Sequence, residues 1–125
     1  MLHYENFSHE TYYHVNFSTR WLRPTLDREK VEWIEQIARR KGAEYNFKVL
    51  LVNGGREHIH FLLSVPPTLA LDGVVKVIKN ITARVIPDLA WQRRYYVKTV
   101  DRRSLETVYK YIKHRWLYRQ REDLN

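Results

Sequence analysis

The run Glu57-His-Ile-His-Phe-Leu-Leu-Ser-Val65 constrains the fold more than any other stretch of the chain. Its composition is that of a buried β-strand, and side chains two apart on a strand point to one face. Ile59, Phe61 and Leu63 therefore point into a core, while His58 and His60 share the opposite side. A sheet built around this strand has one dry face and one face with two neutral imidazoles, ligands that a divalent metal accepts. The same spacing also describes two ordinary polar residues on a half-solvated face.

Neighbouring segments extend the pattern. Residues 11–19 alternate Tyr13, Val15 and Phe17 against His14, Asn16 and Ser18, a second strand with one polar side. Asp27 is placed to cap a helix to about Lys41, with Val31, Ile34, Ile37 and Ala38 as its apolar stripe and Gly42 as its end. A strand from about Tyr45 to Val52 is expected to turn at Asn53-Gly54-Gly55 into the histidine strand, Asn-Gly being a strong hairpin signal. After Pro66-Pro67, a helix over about 71–86 is expected to bury Val74, Val75, Ile78 and Val85 and to show Lys76, Lys79 and Arg84. A fourth strand covers about Arg93 to Val100, and a last helix Ser104 to about Arg119.

That order is the one of a ferredoxin-like or RRM-like α+β sandwich, a four-stranded antiparallel sheet with two helices on one face. The C-terminal helix, which carries a tyrosine, then lies against the other face. The first and third strands are neighbours in this topology, so His14, Asn16 and Ser18 share the open face with His58 and His60. At 125 residues the chain is read as one domain, 1–125, large enough for a single core.

The absence of cysteine excludes disulfides and thiolate metal sites. No membrane-spanning run and no secretory signal are evident, and a cytoplasmic location is expected. Twenty-two Lys and Arg against 14 Asp and Glu give a net charge of +8, the balance of a protein that meets a polyanion or simply of a basic solvated surface. Aromatic residues lie among the cations, as in Trp91-Gln-Arg-Arg-Tyr-Tyr-Val-Lys98, which suits single strands whose bases can stack. The basic residues are too dispersed for a membrane-surface helix. An RNA-binding module of the same sandwich type reads bases with aromatics on its central strands, where this chain has His58 and His60.

The last helix supplies a possible reactant. At about 100° per residue, Leu105, Val108, Tyr109, Ile112 and Trp116 form one stripe, and Tyr111 falls roughly 120° from its centre. Tyr109 belongs to the core side. Tyr111 lies on the wetter flank near Lys110, His114 and Arg115.

Taken together, these segments resemble the HUH transposases with a single catalytic tyrosine, encoded by bacterial and archaeal insertion sequences that move as single-stranded DNA. The likeness rests on Tyr13-His-Val-Asn-Phe-Ser-Thr-Arg20, Glu57-His-Ile-His-Phe-Leu-Leu-Ser-Val-Pro-Pro67, Ala90-Trp-Gln-Arg-Arg-Tyr-Tyr-Val-Lys-Thr-Val100 and Val108-Tyr-Lys-Tyr-Ile112, in the family's order and spacing. It implies that His58 and His60 bind a divalent metal, Mg2+ or Mn2+, and that Tyr111 is the nucleophile. It further implies cutting and rejoining of single-stranded DNA through a 5'-phosphotyrosine link, recognition of hairpin ends, and a homodimer in which tyrosine helices can complete sites in trans. Lys76, Lys79, Arg84, Arg93, Arg94, Lys98 and Arg115 are then the candidates for DNA contacts.

The chain also departs from the family. Four residues after the tyrosine, where a glutamine usually supplies a third metal ligand, stands Arg115, which has no lone pair to give. His114 is the substitute ligand or else a solvent-facing residue. Glu57 replaces the usual aspartate, and Arg94 and Asp101 stand where glycines are common. Two readings follow: an active transposase, or a domesticated or degenerate relative that binds hairpins without efficient cleavage. Relatives associated with dispersed palindromic repeats continue past the tyrosine with Asn-Pro; here the continuation is Lys113-His-Arg-Trp-Leu117, which favours the simple mobile-element type.

Overall fold

The computed structural model describes residues 10–123, with side chains as far as His114. The main elements run in the order β1 (Thr11–Ser18), α1 (Arg28–Tyr45), β2 (Lys48–Gly54), β3 (His58–Val65), α2 (Leu71–Val85), β4 (Tyr96–Val100) and α3 (Leu105–Asp123). The strands form one four-stranded sheet in the order β2-β3-β1-β4, every pair antiparallel. This is the expected α+β sandwich, with β1 and β3 at its centre.

Alternation divides the side chains between two layers. Val15 and Phe17 of β1 and Ile59, Phe61 and Leu63 of β3 pack with Ile34 and Ala38 of α1 and with Val75 and Ile78 of α2. The opposite face packs Tyr12, Leu62 and Val100 against Leu105 and Ile112 of α3, with Val108 and Tyr109 at the margin. α3 therefore folds back over its own sheet. Trp116, the last member of the anticipated stripe, lies outside the described side chains.

Several boundaries differ from the sequence expectation, each for a local reason. Asp27 caps α1 as anticipated, its Oδ1 accepting from the Lys30 N–H at 2.8 Å, a contact typically worth about 1 kcal/mol. Gly42, however, does not end the helix. α1 continues to Tyr45 and closes on Asn46 in the left-handed conformation, φ 72°. Gly42 instead permits a close approach, because a Cβ there would lie 2.5 Å from the Phe47 carbonyl oxygen. The second strand accordingly begins at Lys48, not Tyr45.

Asn53 and Gly54 are paired strand residues, opposite His60 and Ile59, so the hairpin reverses over residues 55–57. No described glycine has positive φ, so the reversal is not the two-residue type I' turn in which Asn-Gly pairs are common. Val85 is exposed, not buried; Ile86, just past the end of α2, takes the core position. β4 starts at Tyr96 because residues 91–95 are held by other contacts. Trp91 donates from Nε1 to Thr82 Oγ1 at 2.9 Å and packs edge-on against Phe17. The Tyr95 hydroxyl donates to Asp72 at 3.1 Å. A short 3-10 turn, Arg102–Ser104, capped by Asp101, delays α3 to Leu105.

Candidate functional site

Strand register assembles a polar row on the face beneath α3. Asn53 of β2 pairs with His60 of β3, His60 with Asn16 of β1, and Asn16 with Tyr96 of β4. One step along the strands, Ser18 pairs with His58. Cross-strand partners project to the same side, so the row crosses all four strands and meets the apolar patch under α3.

Three imidazoles cluster within it. The His58 and His60 rings lie 5.5 Å apart between centroids, nearly perpendicular. His14 Nε2 and His60 Nδ1 share a hydrogen bond of 2.8 Å, and His58 Nδ1 lies 3.4 Å from a Glu57 carboxylate oxygen. His60 is buried and His14 and His58 are partly so. Burial, and then the nearby Lys98 ammonium, hold His14 below the ordinary imidazole range. A neutral His14 can accept from His60 Nδ1–H, which fixes the tautomer of His60 and leaves its Nε2 lone pair for another partner.

Asn53 joins this cluster to the tyrosine helix. Its Nδ2 donates to the carbonyls of Ile112 and Lys113 at 3.3 and 3.2 Å, and its Oδ1 accepts the Gly54 N–H at 2.9 Å. The turn of α3 that carries Tyr111 is therefore tied to the strand position directly beside His60. Tyr111 itself is 52% exposed, on the wet flank as the helical period required. Among the described residues no group of three His, Cys, Asp or Glu side chains is disposed to hold a metal ion. His114, exposed on α3, is not drawn into such a group with His58 and His60.

The basic candidates separate. Lys98 lies on the histidine face, paired across the sheet with His14. Lys76 and Arg84 are on α2, in the layer behind the sheet, and Lys76 pairs with Asp72 at 3.1 Å. Lys79, also on α2, is structural: its ammonium donates to the Gln92 and Arg93 carbonyls and lies 5.3 Å from the Phe17 ring centre. Arg93 and Arg94 are exposed beside β4. The Arg115 side chain lies outside the described residues. Of the three aromatics in the run 91–98, only Tyr96 turns its ring largely to solvent.

Sequence reading placed His14 on this face but gave it no role, and it passed over Asn53 as a turn residue. Parity along β1 was the available signal for His14. For Asn53 there was none, because its partners are backbone carbonyls 59 and 60 positions away.

A ferredoxin-like strand order, a histidine pair on the face opposite α1 and α2, and a tyrosine-bearing helix across that face define a class of α+β proteins with a polar, helix-covered sheet. A family model described as "Transposase IS200 like" matches residues 7–115. The chain belongs to the IS200-like transposase family.

Two curated relatives agree with this assignment. The transposase for insertion sequence element IS200 of Salmonella typhimurium is 27% identical over 114 residues, covering 82% of this chain and 74% of that protein. The ISDra2 transposase TnpA of Deinococcus radiodurans is 26% identical over 112 residues, covering 80% of each. Two solved structures share the fold. A candidate transposase from Deinococcus radiodurans R1 superposes with a TM-score of 0.68 at 20% identity, covering 90% of this chain and 96% of that one. A REP-associated tyrosine transposase bound to a REP hairpin superposes with a TM-score of 0.66 at 17% identity, covering 93% and 76%. No helix among the described residues is long and apolar enough to cross a membrane.

Proposed function

We propose that this transposase cuts and rejoins single-stranded DNA at the ends of an insertion sequence, with Tyr111 as nucleophile. The observation that carries the reading is the Asn53 tie, which sets the Tyr111 turn of α3 next to His60. In the step itself, the Tyr111 oxygen forms a bond to the scissile phosphorus and the bond to the 3'-oxygen breaks. The proton lost by the phenol is matched by the one the 3'-oxygen takes up. One phosphodiester is exchanged for another, so the 5'-phosphotyrosine can be rejoined to a 3'-hydroxyl without ATP.

A phenol titrates near 10 and is a weak nucleophile at neutral pH, so the phosphate needs an electrophile. His58 and His60 are the residues that would hold Mg2+ or Mn2+, which when bound polarises the scissile phosphate. The donor set fits: two imidazoles share one face, and His14 hydrogen-bonds to Nδ1 of His60 in the way outer residues orient ligating histidines. His114 is the further donor the tyrosine helix could offer. DNA with hairpin ends is the proposed partner, in keeping with the structural neighbour bound to a REP hairpin. Lys98 on the histidine face and Arg93 and Arg94 beside β4 are the first candidates for phosphate contacts, with Lys76, Arg84 and Arg115 as the wider set, whereas Lys79 is engaged with the Gln92 and Arg93 carbonyls. A homodimer in which tyrosine helices can complete sites in trans belongs to the same proposal; the hydrogen bonds to Asn53 describe the helix docked on its own chain.

A specific observation favours a second reading, a relative that binds hairpins without efficient cleavage: no three-ligand group exists among the described residues. One experiment separates the two. The chain is incubated with single-stranded DNA from the flanks of its own gene, with Mn2+ or with chelator, and run on a denaturing gel. A metal-dependent covalent adduct that disappears in Tyr111→Phe, with hairpin binding kept, supports the active transposase. Binding without any adduct supports the second reading, and an adduct persisting in Tyr111→Phe moves the nucleophile elsewhere.

A further inference from the structure

We infer that Trp21 is a stacking platform for an unpaired base of the DNA strand beside the histidine site, an inference resting on the proposed single-stranded substrate. The starting observation is backbone strain. Trp21 has φ 61° and ψ 18°, and Leu22 has φ 53°, two consecutive left-handed residues with bulky side chains. Such conformations persist only where the surroundings impose them, and they concentrate at functional sites.

Here the surroundings are built to impose them. Thr19, 1% exposed, donates from Oγ1 to the Arg23 carbonyl at 2.7 Å and closes the turn. Its backbone N–H donates to Glu57 O at 2.8 Å, and the Arg20 N–H donates to Ala90 O at 2.8 Å. The product of this anchoring is an indole 71% exposed to solvent. Folding does not require a tryptophan there, since its ring contributes little to either core.

The location supplies the occupant. The turn follows Ser18, whose cross-strand partner is His58. The Leu26 N–H donates to Arg56 O at 2.9 Å and the Gln92 N–H to Ser18 O at 2.9 Å. Segments 18–26, 55–57 and 90–94 thus converge at the His58 end of the sheet. They bring exposed Arg20, Arg23, Arg56, Arg93 and Arg94 to it. The Arg20 guanidinium carbon lies 5.6 Å from the Trp21 ring centre. Cations that follow phosphates around an aromatic face that accepts a base are the components of a sequence-tolerant single-strand site.

The test uses the full chain with chelator present and a labelled oligothymidylate of about a dozen nucleotides, within the usual site sizes. Trp21→Ala should weaken binding about ten-fold, the order of one base stack, and Trp21→Phe should keep most of it. Oligothymidylate should quench tryptophan emission in the wild type and much less in Trp21→Phe. Equal affinity in wild type and Trp21→Ala, or equal quenching in wild type and Trp21→Phe, overturns the inference. A changed sedimentation coefficient without a change in affinity also overturns it, marking the patch as a contact between copies of the chain. If the wild type itself neither binds the strand nor forms an adduct, it is the proposed function that fails.

Discussion

The two faces of the sheet are made by the same strands and do opposite work. Toward α1 and α2, β1 and β3 present Val15, Phe17, Ile59, Phe61 and Leu63, all buried and without a polar atom in their side chains. Toward α3, the same strands present His14, Asn16, Ser18, His58 and His60, with an apolar patch of Tyr12 and Leu62 at one end only. The patch docks α3, and Asn53 beside the polar part ties the tyrosine-bearing turn to the sheet. One face is a continuous apolar core, and the other combines a small apolar patch with a row of polar side chains.

This contrast can be broken by substitution, beginning where the largest loss of stability is expected. Phe61→Ala should cost about 3–5 kcal/mol, since the ring is fully buried and leaves a cavity. Chemical denaturation measures it, and a cost below about 1 kcal/mol would mean that the helix-covered face is not the main core. Asn53→Ala should cost about 1–3 kcal/mol, by removing the side-chain hydrogen bonds to the Ile112 and Lys113 carbonyls and from the Gly54 N–H. It should also slow adduct formation relative to hairpin binding, and an unchanged rate would show that the tie does not position Tyr111.

On the polar face, His60→Ala should cost about 1–3 kcal/mol, less than Phe61→Ala because it removes a buried hydrogen bond and little apolar packing, yet abolish cleavage. A cost as large as that of Phe61→Ala would erase the distinction between the faces. The smallest effect concerns pH. His14 titrates below its ordinary value of 6.5 in the folded chain, so the unfolded chain binds more protons on the acid side. With chelator present, stability should be insensitive to His14 above that value and fall as pH drops through it toward the folded value. Urea midpoints of wild type and His14→Gln across that range test this: the variant should lose part of the slope, and identical slopes would mean that His14 is not held neutral.

Legibility in the sequence followed the range of the interaction. Asp27, the α1 stripe, the inward residues of β1 and β3 and the wet flank of Tyr111 were all visible, because helix and strand periods are local. Gly42 misled because a glycine near a helix end resembles a terminator, whereas its role depends on Phe47 returning against it. Asn53-Gly54 misled because a longer loop carried the reversal past the usual turn pair. The histidine pair and the face it shares with His14 were legible from strand period and order, but the hydrogen bond between His14 and His60 was not, since it depends on the exact register of β1 against β3.

What the chain determined by itself was the alternation of its strands, the amphipathic period of its helices and the order in which they occur. From these the sandwich and its two unlike faces follow with little freedom. Only the tertiary structure decided the register that lines up Asn53, His60, Asn16 and Tyr96, the tie from Asn53 to α3, and the strained turn that turns Trp21 outward. The reason is physical: periodicity is set by bonds between near neighbours in the chain. A site is set by hydrogen bonds and packing between segments that meet only after the core has closed.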